Sequence, residues 1–197
     1  MSAPQDPADD IATADAADST ERVVFAPTSS SAAGETGADS DMTDRVVADA
    51  AARGIPIELQ ATEIAGSLDE AAALRGISPA DIVKTLVVKR HDGDYLLALV
   101  PGDRQIAWAK LRAVVGVNKL RLPDPDAAFA ATGYVRGTIT PFGSTTAWPV
   151  YADERIRGRR VSMGAGRAGR TLYVDADALL SGFDATVADI TNPRDAS

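Results

Sequence analysis

The segment Ile82-Val83-Lys84-Thr85-Leu86-Val87-Val88, followed across Asp92-Gly93 by Tyr95-Leu96-Leu97-Ala98-Leu99-Val100, constrains the fold more than any other part of the chain. β-branched and aromatic residues on both sides of an Asp-Gly pair predict an antiparallel hairpin. Because both strands are almost continuously apolar, they belong in the middle of a sheet that is covered on both faces. Lys84 stands out in that setting. An ammonium within such a strand lies on an edge, snorkels to solvent, or points into a cavity where an anion offsets its desolvation; the local pattern leaves these alternatives open.

The material around the hairpin supplies the covering layers. Val46, Val47, Ala50 and Ala51 recur at helical spacing from Thr43 onward, and Gly54 is placed to stop that helix. Ile57 to Gln60 reads as a short strand. Ser67-Leu68-Asp69-Glu70 has the pattern of a capping box, and Gly76 closes the helix that it starts. Gln105 to Val115 reads as an amphipathic helix with Ile106, Ala109, Leu111 and Val114 turned inward, ending at Gly116. Beyond it the pattern predicts a strand at Lys119 to Leu122, a helix at Pro125 to Ala131 and a strand at Trp148 to Tyr151. Val161 to Met163 and Thr171 to Val174 flank a glycine turn, with a helix at Asp177 to Leu180 and a last strand at Ala185 to Ile190. Hairpins outnumber βαβ units in this order, which predicts a mixed α/β (α+β) single domain over residues 42–191, built around a largely antiparallel central sheet with flanking helices. Residues 192–197 are read as a C-terminal tail.

Residues 1–41 are rich in Ala, Asp, Ser, Thr, Pro and Gly and nearly empty of aromatics, so they are predicted to be a disordered acidic tail. The run Arg22-Val23-Val24-Phe25 is the apolar exception, either a docking segment or chance. The net charge of −8 is largely the tail's: ten acids and one base fall in residues 1–44, leaving 18 acids and 19 bases for the rest. The acidity is therefore no argument against a nucleic-acid partner for the domain. With no cysteine there is no disulfide, no thiol nucleophile and no Cys-ligated zinc, which suits a reducing compartment. His91, the sole histidine, abuts the Asp92-Gly93 turn, where an exposed imidazole is the expected outcome rather than a Ser-His-Asp relay. No metal and no cofactor are predicted. No apolar run approaches the roughly 18 to 20 residues of a membrane span, and the N-terminus lacks the apolar core and basic flank of a secretory signal. The expectation is a soluble cytoplasmic protein that does not engage a membrane.

Two further segments can carry chemistry. In Gly133-Tyr134-Val135-Arg136-Gly137-Thr138-Ile139-Thr140-Pro141-Phe142-Gly143, glycines let backbone approach a ligand and Pro141 fixes the course of the loop; a tight inter-strand loop explains the same residues. In Gly164-Ala165-Gly166-Arg167-Ala168-Gly169-Arg170, amides and guanidinium groups can meet phosphate or carboxylate, and a hairpin loop with solvated charges is the alternative. Neither is a P-loop or dinucleotide fingerprint.

Taken in order, the Lys84-Thr85 strand, the Gly133 to Gly143 loop, the Gly164 to Gly169 turn, Asp177-Ala178-Leu179-Leu180 and Val187-Ala188-Asp189-Ile190 resemble the YbaK family, also called the prolyl-tRNA synthetase editing-domain family, over about residues 45 to 190. The resemblance implies a trans-acting deacylase that cleaves the ester between a wrong, small amino acid and the terminal adenosine of a tRNA, commonly the proline tRNA. It implies aminoacyl-tRNA as the partner, with prolyl-tRNA synthetase as a second. It assigns a catalytic role to Lys84 and Gly137. Thr85, Thr138, Ile139, Thr140, Pro141, Gly164, Gly166 and Arg167 are implied as substrate-binding. Family members often carry glycine where Thr138 stands and serine where Thr140 stands, which bears on substrate identity. A non-catalytic aminoacyl-tRNA or synthetase binding module of the same fold is the alternative, and a protein-interaction domain recruited through the acidic tail is a third reading.

An aminoacyl ester is already activated, so a site that seats the adenosine, aims water or a substrate group at the carbonyl and offers amides to the oxyanion is sufficient. Lys84 is then the anion or ribose anchor, and the Gly137 and Gly166 amides are candidate oxyanion donors. Lys89, Arg90, Arg136, Arg167 and Arg170 either extend a phosphate-binding rim or are scattered surface charges.

Overall fold

Helix α1 (Gly37–Ala52) opens the part of the chain that the computed structural model describes, residues 37–194. It begins upstream of Thr43 and within the stretch read as tail; its packed stripe runs from Met42 through Val46 and Ala50, the last two of which are buried. Arg22 to Phe25 lies outside the described residues. Strands β1 (Ile57–Ala61), β8 (Arg170–Asp175) and β7 (Arg160–Gly164) form an antiparallel sheet in the order β1-β8-β7. A second sheet has the order β5-β2-β3-β6-β9, from β5 (Leu120–Arg121), β2 (Val83–Arg90), β3 (Tyr95–Pro101), β6 (Val150–Asp153) and β9 (Thr186–Ala188).

The expected hairpin is β2–β3, with Lys84 opposite Val100 and Thr85 opposite Leu99. His91 is exposed in its turn. The hairpin is covered on both faces as its composition requires. Val83, Val87, Leu97 and Leu99 belong to the main core with Phe142, Met163 and Leu172, whereas Val88, Leu96, Ala98 and Val100 meet Leu111 and Ile190 on the other side. Strands β6 and β9 join in parallel, which the long connections ahead of each of them allow. The two sheets touch at a seam, where Ile82 bridges Ser162 in parallel.

Helix α2 (Leu68–Arg75) starts on the Ser67 hydroxyl, which accepts the Glu70 amide at 3.1 Å. The Glu70 carboxylate reaches past Ser67 to the Gly66 amide at 2.7 Å, one residue earlier than a capping box would place it. Gly76, at φ 63°, ends the helix in the left-handed conformation. The expected helix from Gln105 is divided: β4 (Arg104–Ile106) pairs with β10 (Thr191–Pro193), and α3 (Trp108–Val115) follows. Three residues in extended pairing satisfy backbone groups that a helix start would leave open. That pairing carries ordered chain beyond residue 191. Helices α4 (Pro125–Thr132) and α5 (Ala176–Gly182) are each capped by the aspartate before them, Asp124 and Asp175. No described helix is long and apolar enough to cross a membrane.

The C-terminal segment is also tied down electrostatically. Asp189 accepts from Lys110 at 2.8 Å and from Arg155 at 2.9 Å, and these bonds hold its carboxyl down at about 2. The folded value lies below the ordinary 3.8, so the stabilisation is present above about pH 4 and is lost as the pH falls toward 2. In urea unfolding, Asp189→Asn is expected to be less stable than the parent at pH 7 and to converge with it near pH 2. Equal stability at pH 7 would refute the linkage.

Candidate functional site

Helix α4 delivers the chain to Gly133, whose φ of 75° turns it into the loop before Tyr134. The Tyr134 ring is fully buried and its hydroxyl donates to the Phe142 carbonyl at 2.9 Å, so one side chain ties together the two ends of the loop. Burial pushes that phenol up to about 12, and it stays protonated as a donor. Inside the loop the Thr138 amide and hydroxyl both reach the Val135 carbonyl, at 3.1 and 2.9 Å. Thr138, Thr140 and Pro141 are buried, Ile139 is half-buried and Gly137 is exposed at φ 95°.

The second glycine segment grips the first. A Cβ on Gly164 would lie 2.7 Å from the carbonyl carbon and oxygen of Thr138, so the loop backbone rests directly on that glycine. The Gly166 amide donates to the Thr138 carbonyl at 3.1 Å, and the Thr140 hydroxyl meets the Met163 sulfur at 3.8 Å. Gly166 is accordingly not an oxyanion donor in this structure: its one N–H already holds the loop. Arg167 is half-buried beyond it.

The strand of Lys84 adjoins this assembly at the seam. Ile82 pairs with Ser162, and two residues further along each strand stand Lys84 and Gly164, on the same face by the two-residue alternation of strands. The Lys84 amine donates to the carbonyls of Gly102 at 3.3 Å and Arg104 at 2.5 Å. It makes no ion pair with a carboxylate among the described residues. Burial pulls its pKa down, the charge of Arg194 adds to that, and Asp103 opposes it. Thr85 points the other way, into the main core beside Val83 and Val87, with its hydroxyl unpartnered. The structure therefore joins Thr138, Ile139, Thr140, Gly164 and Gly166 directly and sets the strand of Lys84 beside them, but it does not bring Thr85 to that face.

Over residues 62–181 the sequence matches the family model described as "Aminoacyl-tRNA editing domain". The chain belongs to that family. It is 29% identical over 126 residues to the "Putative Cys-tRNA(Pro)/Cys-tRNA(Cys) deacylase EbsC" of Enterococcus faecalis, covering 64% of this chain and 77% of that protein. The proline–tRNA ligase of Thermotoga neapolitana is 31% identical over 122 residues, 62% of this chain but 21% of the ligase. The chain thus matches about a fifth of the ligase's length. Among solved structures, hypothetical protein APE2540 superposes with a TM-score of 0.71 at 28% identity, covering 75% of this chain and 99% of that one. A structure titled as a "putative trans-editing enzyme for prolyl tRNA synthetase" gives a TM-score of 0.67 at 28% identity, covering 77% and 97%.

The editing domain has a cleft of about 600 Å³ elsewhere on the same loop, between α1, residues 141–150 and residues 183–186. Pro141 is the one predicted site residue that lines it; Lys84, Gly137, Gly164 and Gly166 do not. Sequence reasoning missed Gly102 and Arg104, whose carbonyls hold the lysine. A main-chain acceptor leaves no mark in side-chain identity. Gly102 carried a weak signal, following Pro101 at the end of an apolar strand; a Cβ there would lie 2.3 Å from the Pro79 carbonyl.

Proposed function

We propose that this editing domain hydrolyses the ester that joins a mismatched small amino acid to the terminal adenosine of a tRNA, the proline tRNA first among them, in the cytoplasm where charged tRNA is used. What carries the reading is the Thr138–Ile139 backbone laid on Gly164 beside the strand that bears the half-buried amine of Lys84. Such a surface offers fixed dipoles and one cation to an acyl ester, with no thiol, imidazole or metal required. In the reaction, water adds to the ester carbonyl and gives a tetrahedral oxyanion. Collapse expels the adenosine oxygen, which takes up a proton, and releases the free amino acid. Gly137 is the remaining candidate donor to the oxyanion, and Lys84 anchors the ribose or phosphate side. For a cysteinyl ester the substrate thiol can attack in place of water: a carbon–sulfur bond forms, the adenosine oxygen leaves with the thiol proton, and water then opens the resulting cyclic thioester to free cysteine; the name of the Enterococcus relative makes that ester the first to test.

The test is a panel of proline tRNAs carrying cysteine, alanine or proline, incubated with the purified protein. Release of cysteine or alanine well above buffer, with prolyl-tRNA spared, is the expected result; no release from any member of the panel overturns the reading. A module that binds aminoacyl-tRNA or its synthetase without turnover is the second reading. It is favoured by the engagement of the Gly166 amide, which leaves fewer groups for an oxyanion. Binding without release identifies it. Prolyl-tRNA synthetase is the synthetase proposed as partner in either case.

A further inference from the structure

Arg75, the last residue of α2, enters neither the sequence reading nor the proposed chemistry, yet the fold dedicates two buried hydroxyls to it. Its Nη1 donates to Ser162 Oγ at 3.1 Å, Ser162 Oγ and Thr171 Oγ1 are 3.0 Å apart, and Thr171 Oγ1 donates to the Met163 carbonyl at 2.8 Å. The proton order in that chain is forced. A guanidinium only donates and a carbonyl only accepts, so Ser162 must donate to Thr171. Ser162 and Thr171 are both fully buried. One end of the Arg75 fork is thereby fixed against the outer face of β7, and four of its five N–H donors are left over.

The position of this fork gives it a use. Ser162 is the residue that Ile82 bridges, so Arg75 is anchored on the seam face that also carries Lys84, two residues along β2. Both strands thus present a cation to one face of the seam, and the several oxygens of a phosphate can accept from donors on more than one side. Both cations are half-buried, both have only uncharged acceptors, and the Lys84 ammonium uses two of its three donors on the Gly102 and Arg104 carbonyls. Burial lowers the pKa of each, which an arriving anion would reverse. Partly desolvated cations with open donors and no carboxylate hydrogen-bonded to either of them are what anion recognition requires.

We propose that Arg75 binds a backbone phosphodiester of the acceptor end of the RNA, with Lys84 on its other side. The inference rests on the proposed function for the identity of the anion, and deepens it by naming a second contact that reads the strand and not the amino acid. Binding can be measured without turnover, by fluorescence anisotropy with an uncharged RNA minihelix ending in CCA. Arg75→Gln is expected to weaken binding about tenfold and to flatten the slope of log K against log salt by about 0.7, the share of one phosphate on a single strand. Arg75→Lys is expected to recover part of the loss. Neutral methylphosphonate at one of the two linkages nearest the terminal adenosine is expected to weaken the parent protein similarly and Arg75→Gln no further.

Parent-like binding by Arg75→Gln, or a methylphosphonate loss that persists in that variant, overturns the proposal. Should Arg75→Gln not fold, insensitivity of the parent protein to both methylphosphonates overturns it equally. The two readings fail separately. A protein that deacylates but binds without Arg75 refutes the phosphate contact alone, and one that binds through Arg75 yet releases no amino acid refutes the deacylase alone.

Discussion

Lys84→Ala is expected to lower kcat/KM for release of cysteine or alanine from mischarged proline tRNA by about 100-fold, the scale of removing one fixed electrostatic contact to a reacting group. The protein should remain folded. The amine is only half-buried, and its loss leaves the Gly102 and Arg104 carbonyls short of a donor, at about 1 kcal/mol each. Lys84→Arg separates charge from geometry: a planar fork cannot satisfy two carbonyls and a ligand as a compact ammonium does, so activity should stay well below the parent's. Single-turnover deacylation, with a thermal melt on the same samples, checks all three statements. Rates for Lys84→Ala within twofold of the parent would remove Lys84 from the site.

What the sequence disclosed about this fold follows the range of the forces involved. The β2–β3 hairpin was legible because its register is set locally, by a turn pair and by apolar strands on either side of it. Ser67 and Gly76 were legible for the same reason, since a cap and a left-handed stop act within one turn of helix. Long-range pairing was not. Gln105 and Ile106 satisfy a helical pattern as well as they satisfy the strand they occupy, and β10, more than 80 residues away, decides between the two. The parallel joins of β6 and β9 were hidden likewise, because nothing within either strand names its neighbour.

The site divides along the same line. The glycines of both loops marked places of close backbone approach before any contact was known, and Gly164 on Thr138 is such a contact. Lys84 was conspicuous because a cation in an apolar strand needs a reason. Thr85 enters only through the Lys-Thr strand of the resemblance, and a strand sends adjacent side chains to opposite faces. The Gly166 amide looks free in the sequence, but the fold engages it on the Thr138 carbonyl. Arg75 gave no signal, because an arginine in the last turn of a helix is accounted for by the helix dipole alone. Only the Ser162 and Thr171 hydroxyls behind it distinguish it from a solvated charge.

Gly164→Ala should be as damaging as removal of the lysine, though it adds a methyl and deletes no functional group. The new Cβ would stand 2.7 Å from the Thr138 carbonyl carbon and oxygen and 3.0 Å from the Ile139 oxygen, so backbone on one side must retreat. The loop cannot yield freely. It is held by the Gly166 amide on the Thr138 carbonyl and by the Tyr134 hydroxyl on the Phe142 carbonyl. Restoring ordinary contact takes about 1 Å, and a displacement of that size at a reacting centre costs on the order of 100-fold in rate. The accompanying loss of stability should be about 1–3 kcal/mol, as for other overpacked positions. Gly158→Ala supplies the control, since its φ of 66° strains any other residue while an added Cβ there meets nothing within 4 Å. That variant should lose about 1–2 kcal/mol and keep parental kcat/KM per folded molecule. Deacylation rates for Gly164→Ala that match those of Gly158→Ala would mean that the Thr138 loop has no part in the chemistry.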